Sequence, residues 1–350
     1  MGELRVLLVA PRSAGGIGRH VASLAAGLRR RGVAVVDRGP VGPRALPRLL
    51  AAARQVEIVH AHGLRAGLAA AAVLGRSRPR RPPLVVTWHN VAPTTGWRRG
   101  IGALLERTVA RRAEVTLAAS TDLAERARMA GARDVRCCPV AAPALTAPRR
   151  DRETLRAELG AVDRPLVLAV GRLAAQKDYP LLLDAAVLLA GRDPVPLVVI
   201  AGDGPLRGAL TRRITSRQLP VRLLGARDDV PDLLAAADVV VLTSRWEARP
   251  LVAQEAMAAG VPLVATAVGG VPDLVGDAAL LVGPGQGGDV AGRFAAAVSR
   301  VLDSPQLAAE LAARGRRRAA GWPGESDTVD AVLACYADAL ARRTDLRRRR

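Results

Sequence analysis

Two cationic side chains follow an apolar run in the second half of the chain, where a buried strand should end. Arg172 comes two residues after the run Leu166–Val170, and Lys177 follows five residues later. Ligands of open α/β sheets bind beyond the carboxyl ends of the strands, and guanidinium and ammonium groups both hold phosphate oxygens. Lys177 is also the sole lysine among the 52 lysine and arginine residues. This indicates a position at which arginine cannot replace lysine. The pair predicts a diphosphate site; the alternative is a solvated pair at a helix start.

Two carboxylates with seven residues between them form a second candidate site. The apolar run Val239–Leu242 predicts a strand, which places Glu247 in the loop that follows it. Pro250 suits the first turn of a helix that stops at Gly260, and Glu255 projects from that helix. Carboxylates accept hydrogen bonds from sugar hydroxyls, and a helix N-terminus favours phosphate. The unit therefore predicts a grip on a sugar, a diphosphate and a ribose; the alternative is two solvated charges.

Short apolar strands alternate with helical patterns along the whole chain. This alternation predicts an α/β fold whose parallel sheets are covered on both faces. The pattern occurs twice, on either side of a Pro-, Ala- and Arg-rich linker at 139–150. The predicted strands are Leu4–Ala10, Val33–Val36, Val56–Val59, Leu84–Thr87 and Val115–Ala118, then Leu166–Val170, Leu197–Ala201, Val221–Leu224, Val239–Leu242 and Pro262–Ala265.

We therefore predict two Rossmann-like, doubly wound domains with a cleft between them. The N-terminal, acceptor-side domain spans residues 1–148, and the C-terminal, nucleotide-sugar-binding domain spans 149–322. Residues 323–350 form a helix, Asp327–Arg343, that packs back toward the N-terminal domain and carries a basic tail. One face of this helix is apolar, which is what a packed helix requires.

The composition restricts the class of protein. The formal net charge is +20, yet aromatic residues make up 2% of the chain and the arginines are spread along it, which argues against a nucleic-acid partner. Arginine in place of lysine is typical of high-GC coding. No apolar run reaches about 18 residues and no signal-peptide pattern is present, so we expect a cytoplasmic protein. Cys137, Cys138 and Cys335 lack metal or redox spacing, so they are predicted to be core thiols, and no metal is expected.

The segments around the candidate residues resemble family 4 of the glycosyltransferases, a retaining family with the GT-B fold. The interval from Glu247 to Glu255 resembles that family's Glu-x7-Glu signature, and Val170–Asp178 resembles its diphosphate-binding motif. The resemblance implies that Arg172 and Lys177 bind the donor diphosphate. It also implies that Glu255 bonds the ribose and that Glu247 lies near the transferred sugar.

The same resemblance covers most of 166–282 and implies further donor contacts. The chain departs from the family pattern at Ala248, where many members have glycine. The resemblance therefore specifies the reaction more closely than the identity of the donor sugar. The additional residues expected to contact the donor are Gly202, Asp203, Gly204, Arg227, Pro250 and Leu251.

The first half resembles the family less closely. The turn Gly15-Gly16-Ile17-Gly18 matches its Gly-rich loop, and glycines allow close backbone approach to phosphate at a helix N-terminus. A plain tight turn is the alternative. His89 follows a predicted strand in a segment similar to the family's strand-end histidines, so we expect it in the active site. For His62 an active-site role and a structural role are both open, and His20 is expected to be structural.

The predicted activity is that of a retaining hexosyltransferase. It uses a nucleotide diphosphate sugar as co-substrate and no cofactor, and its acceptor is an unidentified hydroxyl of a lipid-linked or cell-envelope glycan. His89, Glu247, Arg172 and Lys177 are the predicted catalytic residues. A sugar-nucleotide epimerase or phosphorylase of the same fold is an alternative, and a basic binding module is a remote one.

A Rossmann oxidoreductase is a further remote alternative. Asp37 follows a strand about 20 residues after the glycine turn, where a ribose-binding acid would lie. However, Val21 replaces the third glycine of that fingerprint, and the Glu247/Glu255 unit has no place in it.

A helix near residues 98–112 is rich in arginine and apolar residues. Trp97, Arg98 and Arg99 precede Leu104 and Leu105, and further basic and apolar residues follow: Arg107, Val109, Arg111 and Arg112. Such a helix suits the surface of an anionic membrane, so we expect a peripheral association with the inner face of the plasma membrane. The alternative is a helix that packs on its own sheet with solvated arginines.

Overall fold

The computed structural model describes residues 3–11, 16–38, 43–75, 81–92, 98–138, 140–142, 144–283 and 289–348. It divides into two compact units, one formed by Met1–Pro143 with Pro323–Arg350 and the other by Ala144–Trp322. Within the described residues, each unit contains a six-stranded parallel sheet flanked by helices. The α/β prediction is therefore confirmed.

The first unit is built on a sheet with the order β2-β1-β3-β4-β5-β6. Every residue of β3, β4 and β5 is buried, as expected for parallel strands covered on both faces. The strands are β1 (Arg5–Val9), β2 (Ala34–Arg38), β3 (Ile58–His62), β4 (Leu84–Trp88), β5 (Val115–Ala118) and β6 (Val135–Cys137). The helices are α1 (Gly16–Arg30), α2 (Leu46–Ala53), α3 (Leu64–Leu74), α4 (Arg98–Arg112) and α5 (Thr121–Met129).

The second unit repeats this arrangement with the strand order β12-β11-β10-β7-β8-β9. Its helices are α6 (Arg152–Leu159), α7 (Tyr179–Leu189), α8 (Arg207–Ser216), α9 (Val230–Ala236), α10 (Leu251–Ala259), α11 (Val271–Val275), α12 (Val290–Asp303) and α13 (Pro305–Ala320). Its strands are β7 (Leu166–Val170), β8 (Leu197–Ala201), β9 (Val221–Gly225), β10 (Val239–Leu242), β11 (Leu263–Thr266) and β12 (Leu280–Val282).

Each sheet has one point at which the strand order reverses. In the first unit the chain moves one way from β1 to β2 and the other way from β3 onward, so the reversal lies between β1 and β3. In the second unit it lies between β7 and β10. Connections leave opposite faces of the sheet at such a point and open a crevice at the carboxyl ends of the strands.

The last helix, α14 (Glu325–Arg348), belongs to the first unit. Val329, Val332 and Tyr336 are buried in the same apolar cluster as Leu24 and Leu28 of α1. Leu333 and Leu340 are partly buried against that cluster. Five apolar residues on one face of α14 therefore pack this helix against the core of the first unit, as its sequence pattern predicts.

Several predicted strand limits differ from the observed ones, and two strands were not predicted. Val33 does not enter the sheet, because its N–H donates to Leu28 O and closes the end of α1. β6 and β12 have three residues each, which is too short for a periodic pattern to identify a strand. Among the described residues, no helix is long and apolar enough to cross a membrane.

We predict that Gly27→Ala destabilises the protein by about 1–3 kcal/mol, because the core at this point has no room for a methyl group. A Cβ at Gly27, which is buried in α1, would overlap the Cγ2 of Val329 on α14. Gly100 is the matched control, since a Cβ there meets nothing within 4 Å and alanine favours a helix. Urea denaturation of both variants measures the difference, and equal stabilities would contradict this packing.

Candidate functional site

The carboxyl edge of the second sheet brings together segments that are far apart in sequence. β7 and β10 are neighbours on either side of the reversal. A 3-10 turn (Ala175–Lys177) comes after β7, and the loop that contains Glu247 comes after β10. Because parallel strands end at the same edge, both segments reach the crevice that the reversal opens.

The predicted cation and the first predicted carboxylate are in direct contact. Lys177 Nζ donates to Glu247 Oε1 at 2.7 Å, and Ser244 Oγ donates to the same oxygen at 2.7 Å. The side chains of Lys177 and Glu247 are 18% and 10% exposed, so both charges have lost most of their water. A partly desolvated ion pair of this kind interacts more strongly than one at the surface. Glu247 is therefore held by two donors in one orientation.

Three further contacts fasten the Lys177 turn to the Glu247 loop. Arg245 Nε donates to Asp178 Oδ2 at 2.9 Å, and the amide N–H of Arg245 donates to Gln176 O at 2.8 Å. Gln176 Nε2 donates to Trp246 O at 2.9 Å. Asp178 adopts a left-handed conformation (φ 45°), which is uncommon for a residue other than glycine. The two segments thus form one unit around the ion pair.

Glycines bring the ends of β7 and β8 into backbone contact. A Cβ at Gly202 would overlap the carbonyl of Gly171, and one at Gly204 would lie 2.6 Å from Leu173 O. Tyr179 Oη donates to Gly171 O at 3.0 Å, and burial, followed by the charge of Glu247, raises the pKa of its hydroxyl. The edge beside Arg172 is therefore a compact backbone surface.

Another glycine lies against the Glu247 loop. Gly269 follows β11 with φ 53°, and a Cβ there would overlap Glu247 O and lie 2.8 Å from Trp246 Nε1. The N–H of the next residue, Gly270, donates to Glu247 O at 2.9 Å. The segment after β11 thus fixes the main chain of Glu247, while Lys177 and Ser244 fix its side chain.

The second carboxylate and the helix start lie as the sequence pattern predicts. Pro250 is the N-cap of α10, Leu251 is the first helical residue, and Gly260 ends the helix in a left-handed conformation. Glu255 lies in the second turn and is 6% exposed. Backbone N–H groups at the start of this helix suit an anion. The hydrogen bond between Glu255 and the ribose stays a prediction.

The other predicted donor residues are less closely grouped. Arg172 is exposed and has no ion-pair partner among the described residues, so its guanidinium is available to a ligand. Asp203 is exposed and accepts from the N–H of Gly204 at 2.7 Å. Arg227 donates through Nε to Asp229 Oδ1 at 2.7 Å, and this hydrogen bond raises the pKa of Arg227. Because Arg227 already has a carboxylate partner, its contact with a base stays a prediction.

The glycine turn of the first unit is described in part. Gly16 and Gly18 lie in the first turn of α1, the helix that comes after β1 in the chain. Gly15 lies outside the described residues, as does Trp97 of the arginine-rich helix. The predicted contact of this turn with phosphate is untested.

The first unit gathers His20, His62 and His89 at the carboxyl edge of its sheet. His62 ends β3, His89 directly follows β4, and His20 lies in the second turn of α1. His62 Nδ1 and His89 Nε2 are 3.1 Å apart. Burial lowers the pKa of His20 to about 4, and it lowers the pKa values of His62 and His89 well below the ordinary range. All three imidazoles are therefore neutral near pH 7.

The fourth histidine of the chain has two partners of its own. His60 Nδ1 lies 2.7 Å from Tyr336 Oη of α14, and His60 Nε2 lies 2.6 Å from Thr87 Oγ1 of β4. Burial, followed by the charge of His20, lowers the pKa of His60 to about 3. The ring of His60 lies 4.2 Å from that of His62, centroid to centroid. His60 thus connects α14 to the histidine cluster.

Several of these residues were not found from the sequence. The contacts of Ser244 and Asp178 were not predicted, because a serine or an aspartate in a loop has too many ordinary roles. The expectation that His20 is structural treated it alone, whereas it lies beside His62 and His89, with ring centroids 5.7 and 5.3 Å away. The available signal was positional, because His62 ends β3 and His89 comes directly after β4, the neighbouring strand.

Comparisons with known proteins identify the family of the chain. A model described as "Glycosyl transferases group 1" matches residues 151–318, and one described as "Glycosyl transferase 4-like domain" matches 36–143. The chain is 34% identical to an alpha-D-kanosaminyltransferase of Streptomyces kanamyceticus over 73% of this chain and 70% of that protein. It is 36% identical to a D-inositol 3-phosphate glycosyltransferase of Salinispora arenicola, over 57% of this chain but only 47% of the relative.

A solved structure gives the same fold. The Anabaena protein HepE, in complex with UDP and glucose, superposes with a TM-score of 0.78, which covers 96% of this chain and 100% of that one at 22% identity. At this identity the likeness concerns the fold, and it confirms the predicted two-domain α/β class, GT-B.

We predict that Gly269→Ala destabilises the second unit by roughly 2 kcal/mol or more, because alanine both strains the left-handed backbone and displaces Glu247. Gly283 is the control, since it follows the neighbouring edge strand β12 and a Cβ there meets nothing within 4 Å. Thermal and urea denaturation of the two alanine variants measure the effect. A Gly269→Ala protein as stable as Gly283→Ala would show that the two loops are not in contact.

Proposed function

Because the chain belongs to family 4 of the glycosyltransferases, we propose that it transfers a hexose-type sugar from a nucleotide diphosphate sugar to a hydroxyl acceptor, with retention of the anomeric configuration. The observation that carries the proposal is the contact of Lys177 with Glu247 at the reversal point of the second sheet. It joins the cation expected to hold the diphosphate to the carboxylate expected near the sugar.

The departing diphosphate requires stabilisation of its developing negative charge. An ammonium has three donors, so Lys177 keeps its bond to Glu247 and still has donors for a phosphate oxygen. Arg172 adds an exposed guanidinium, and the start of α10 adds backbone N–H groups. Fixed donors aimed at the leaving group are the form of electrostatic stabilisation that lowers a barrier most.

Glu247 is suited to the sugar. Both of its known donors, Lys177 Nζ and Ser244 Oγ, reach Oε1, so Oε2 has acceptor capacity left for sugar hydroxyls. The backbone of Glu247 is fixed by Gly270 N–H, so the carboxylate needs little reorganisation when the donor binds. Ser244 is accordingly proposed as a residue that positions Glu247.

The remaining assignments follow the family. The Gly202-Asp203-Gly204 turn and Arg227 are assigned to the nucleoside, Glu255 to the ribose, and His89 to the acceptor side of the reaction. No cofactor is assigned; the nucleotide diphosphate sugar is a co-substrate. UDP is the first nucleotide to test, because the printed description of HepE has UDP and glucose bound to that protein.

The proposal predicts that a nucleotide diphosphate sugar stabilises the protein and that Lys177→Ala loses this effect. A ligand at 100 times its Kd adds about 2.7 kcal/mol of stability to the state that binds it. Thermal shift with UDP-, GDP- and ADP-sugars identifies the donor. With that donor, transfer by Lys177→Ala or Glu247→Ala should fall by about two orders of magnitude or more.

Two controls accompany this test. Arg212→Ala removes an exposed cation of α8 and should leave both donor binding and transfer intact. Lys177→Arg keeps the charge but exchanges an ammonium for a larger planar fork, so it should restore transfer only in part. Near-wild-type transfer by Lys177→Ala would overturn the assignment. Product analysis without an acceptor separates transfer from the epimerase or phosphorylase alternative.

Helix α4 provides a specific observation for a membrane-surface role. Ile101 and Leu104 are 50% and 64% exposed, and Arg107 and Arg111, on the same face, are exposed as well. Val109 is fully buried, so the apolar part of the exposed face is narrower than the sequence suggests. An exposed apolar pair beside arginines fits an anionic leaflet, and we assign it to peripheral binding at the inner face of the plasma membrane.

We predict that Ile101→Ser with Leu104→Ser weakens binding to vesicles containing anionic lipid about tenfold or more, because two apolar side chains are lost from the contact. Met129→Ser is the control, since Met129 is 80% exposed at the end of α5. Co-sedimentation with vesicles, with and without anionic lipid, measures binding. No dependence on anionic lipid would rule out this role without affecting the donor site.

A further inference from the structure

The segment that carries His89 is held on both sides by hydrogen bonds of its main chain. Before it, the N–H of Gly63 donates to Thr87 O at 2.8 Å. After it, the N–H of Ala92 donates to the carboxylate Oε1 of Glu106, in α4, at 2.9 Å. His89 lies between these two points, three residues before Ala92. Loss of the Glu106 carboxylate would therefore release one end of the segment.

The carboxylate of Glu106 is almost completely buried, although α4 has an exposed face. The Glu106 side chain is 6% exposed, whereas Leu104 of the same helix is 64% exposed. A buried carboxylate is costly unless its charge is paired and its oxygens are hydrogen-bonded. Arg126 of α5 supplies the opposite charge, because its Nε donates to Oε1 at 2.9 Å and to Oε2 at 3.0 Å. The pair thus keeps a charged acceptor beneath the main chain of the His89 segment.

We infer that Glu106 is a positioning residue for the acceptor side of the reaction, because it holds the His89 segment so that this imidazole keeps its place beside His62. The inference rests on the assignment of His89 in the proposed function. His89 Nε2 lies 3.1 Å from His62 Nδ1, and a hydrogen bond weakens steeply when its geometry is disturbed. Burial lowers the pKa values of both imidazoles, so both are neutral near pH 7 and can form a donor–acceptor pair.

The chain offers a matched control at the opposite end of β4. Glu114 Oε2 accepts from the N–H of Leu84, the first residue of β4, at 2.7 Å. Like Glu106, Glu114 is a carboxylate that holds a main-chain N–H next to this strand. Because Leu84 and His89 lie at opposite ends of β4, loss of the Glu114 carboxylate should lower the stability without moving His89.

The first readout is the rate of transfer. Glu106→Ala should lower kcat about tenfold to 100-fold, because a displacement of about 1 Å in a reacting group costs up to about 100-fold. The KM for the donor should stay within about twofold, because the donor-binding residues lie in the second unit. Glu106→Gln should restore kcat to within about threefold, because one oxygen, Oε1, accepts from both donors and an amide oxygen can do the same. Glu114→Ala should leave kcat within about twofold of the wild type.

The second readout is spectroscopic and does not depend on activity. Imidazole ¹⁵N spectra report the four histidines of the chain, and the signal that is absent from His89→Gln identifies His89. Glu106→Ala should shift or broaden this signal, whereas Glu106→Gln and Glu114→Ala should leave it in place. Circular dichroism shows whether each variant is folded. If Glu106→Ala does not fold, Glu106→Asp replaces it, because it keeps a charge for Arg126 and withdraws the carboxylate from Ala92 by one methylene.

The two readouts separate this inference from the proposed function. An unchanged His89 signal in folded Glu106→Ala overturns the inference. So does a Glu114→Ala protein that loses kcat as strongly as Glu106→Ala, because Glu106 would then act through stability alone. If the wild-type protein neither binds nor transfers from any nucleotide sugar, the proposed function fails, and the His89 signal still decides whether Glu106 fixes this segment.

Discussion

The contact of Lys177 with Glu247 is the interaction on which the second unit's candidate site depends. Its two charges are mostly withdrawn from water, and an unpaired charge in that position would be costly. The pair persists because Ser244 supplies a second donor and because two loops are fastened around it. A charge held in this way is preorganised, so the donor phosphate that we propose for this site would meet a cation whose position is already determined.

Backbone packing makes that arrangement possible. The turns after β7 and β8 approach each other so closely that Gly202 and Gly204 have no room for a side chain, and Gly269 has none because the turn after β11 lies against the loop after β10. Fixed main-chain positions in turn fix the directions of Lys177 and Glu247. Stability and function are coupled here, since a methyl group added at Gly269 would displace the carboxylate assigned to the sugar.

The two units use the same architecture for different chemistry. Each places its polar side chains where the strand order reverses, but the second unit gathers opposite charges and the first gathers neutral imidazoles. Family membership disfavours the oxidoreductase alternative, because residues 151–318 of the second unit match a glycosyltransferase model. The histidines of the first unit come together only in the folded chain, and Tyr336 of α14 contacts one of them, His60.

The sequence by itself determined the longer buried strands and the helix with Pro250 and Gly260 at its ends, because these segments have strong local patterns. It also determined Lys177, Glu247 and Glu255 as candidates through their types and spacing. Only the tertiary structure decided that Lys177 meets Glu247, that Asp178 pairs with Arg245, and that the histidines cluster. These contacts join residues from different strands, and which strand ends are neighbours is set by the order of strands in the sheet. Local patterns do not encode that order.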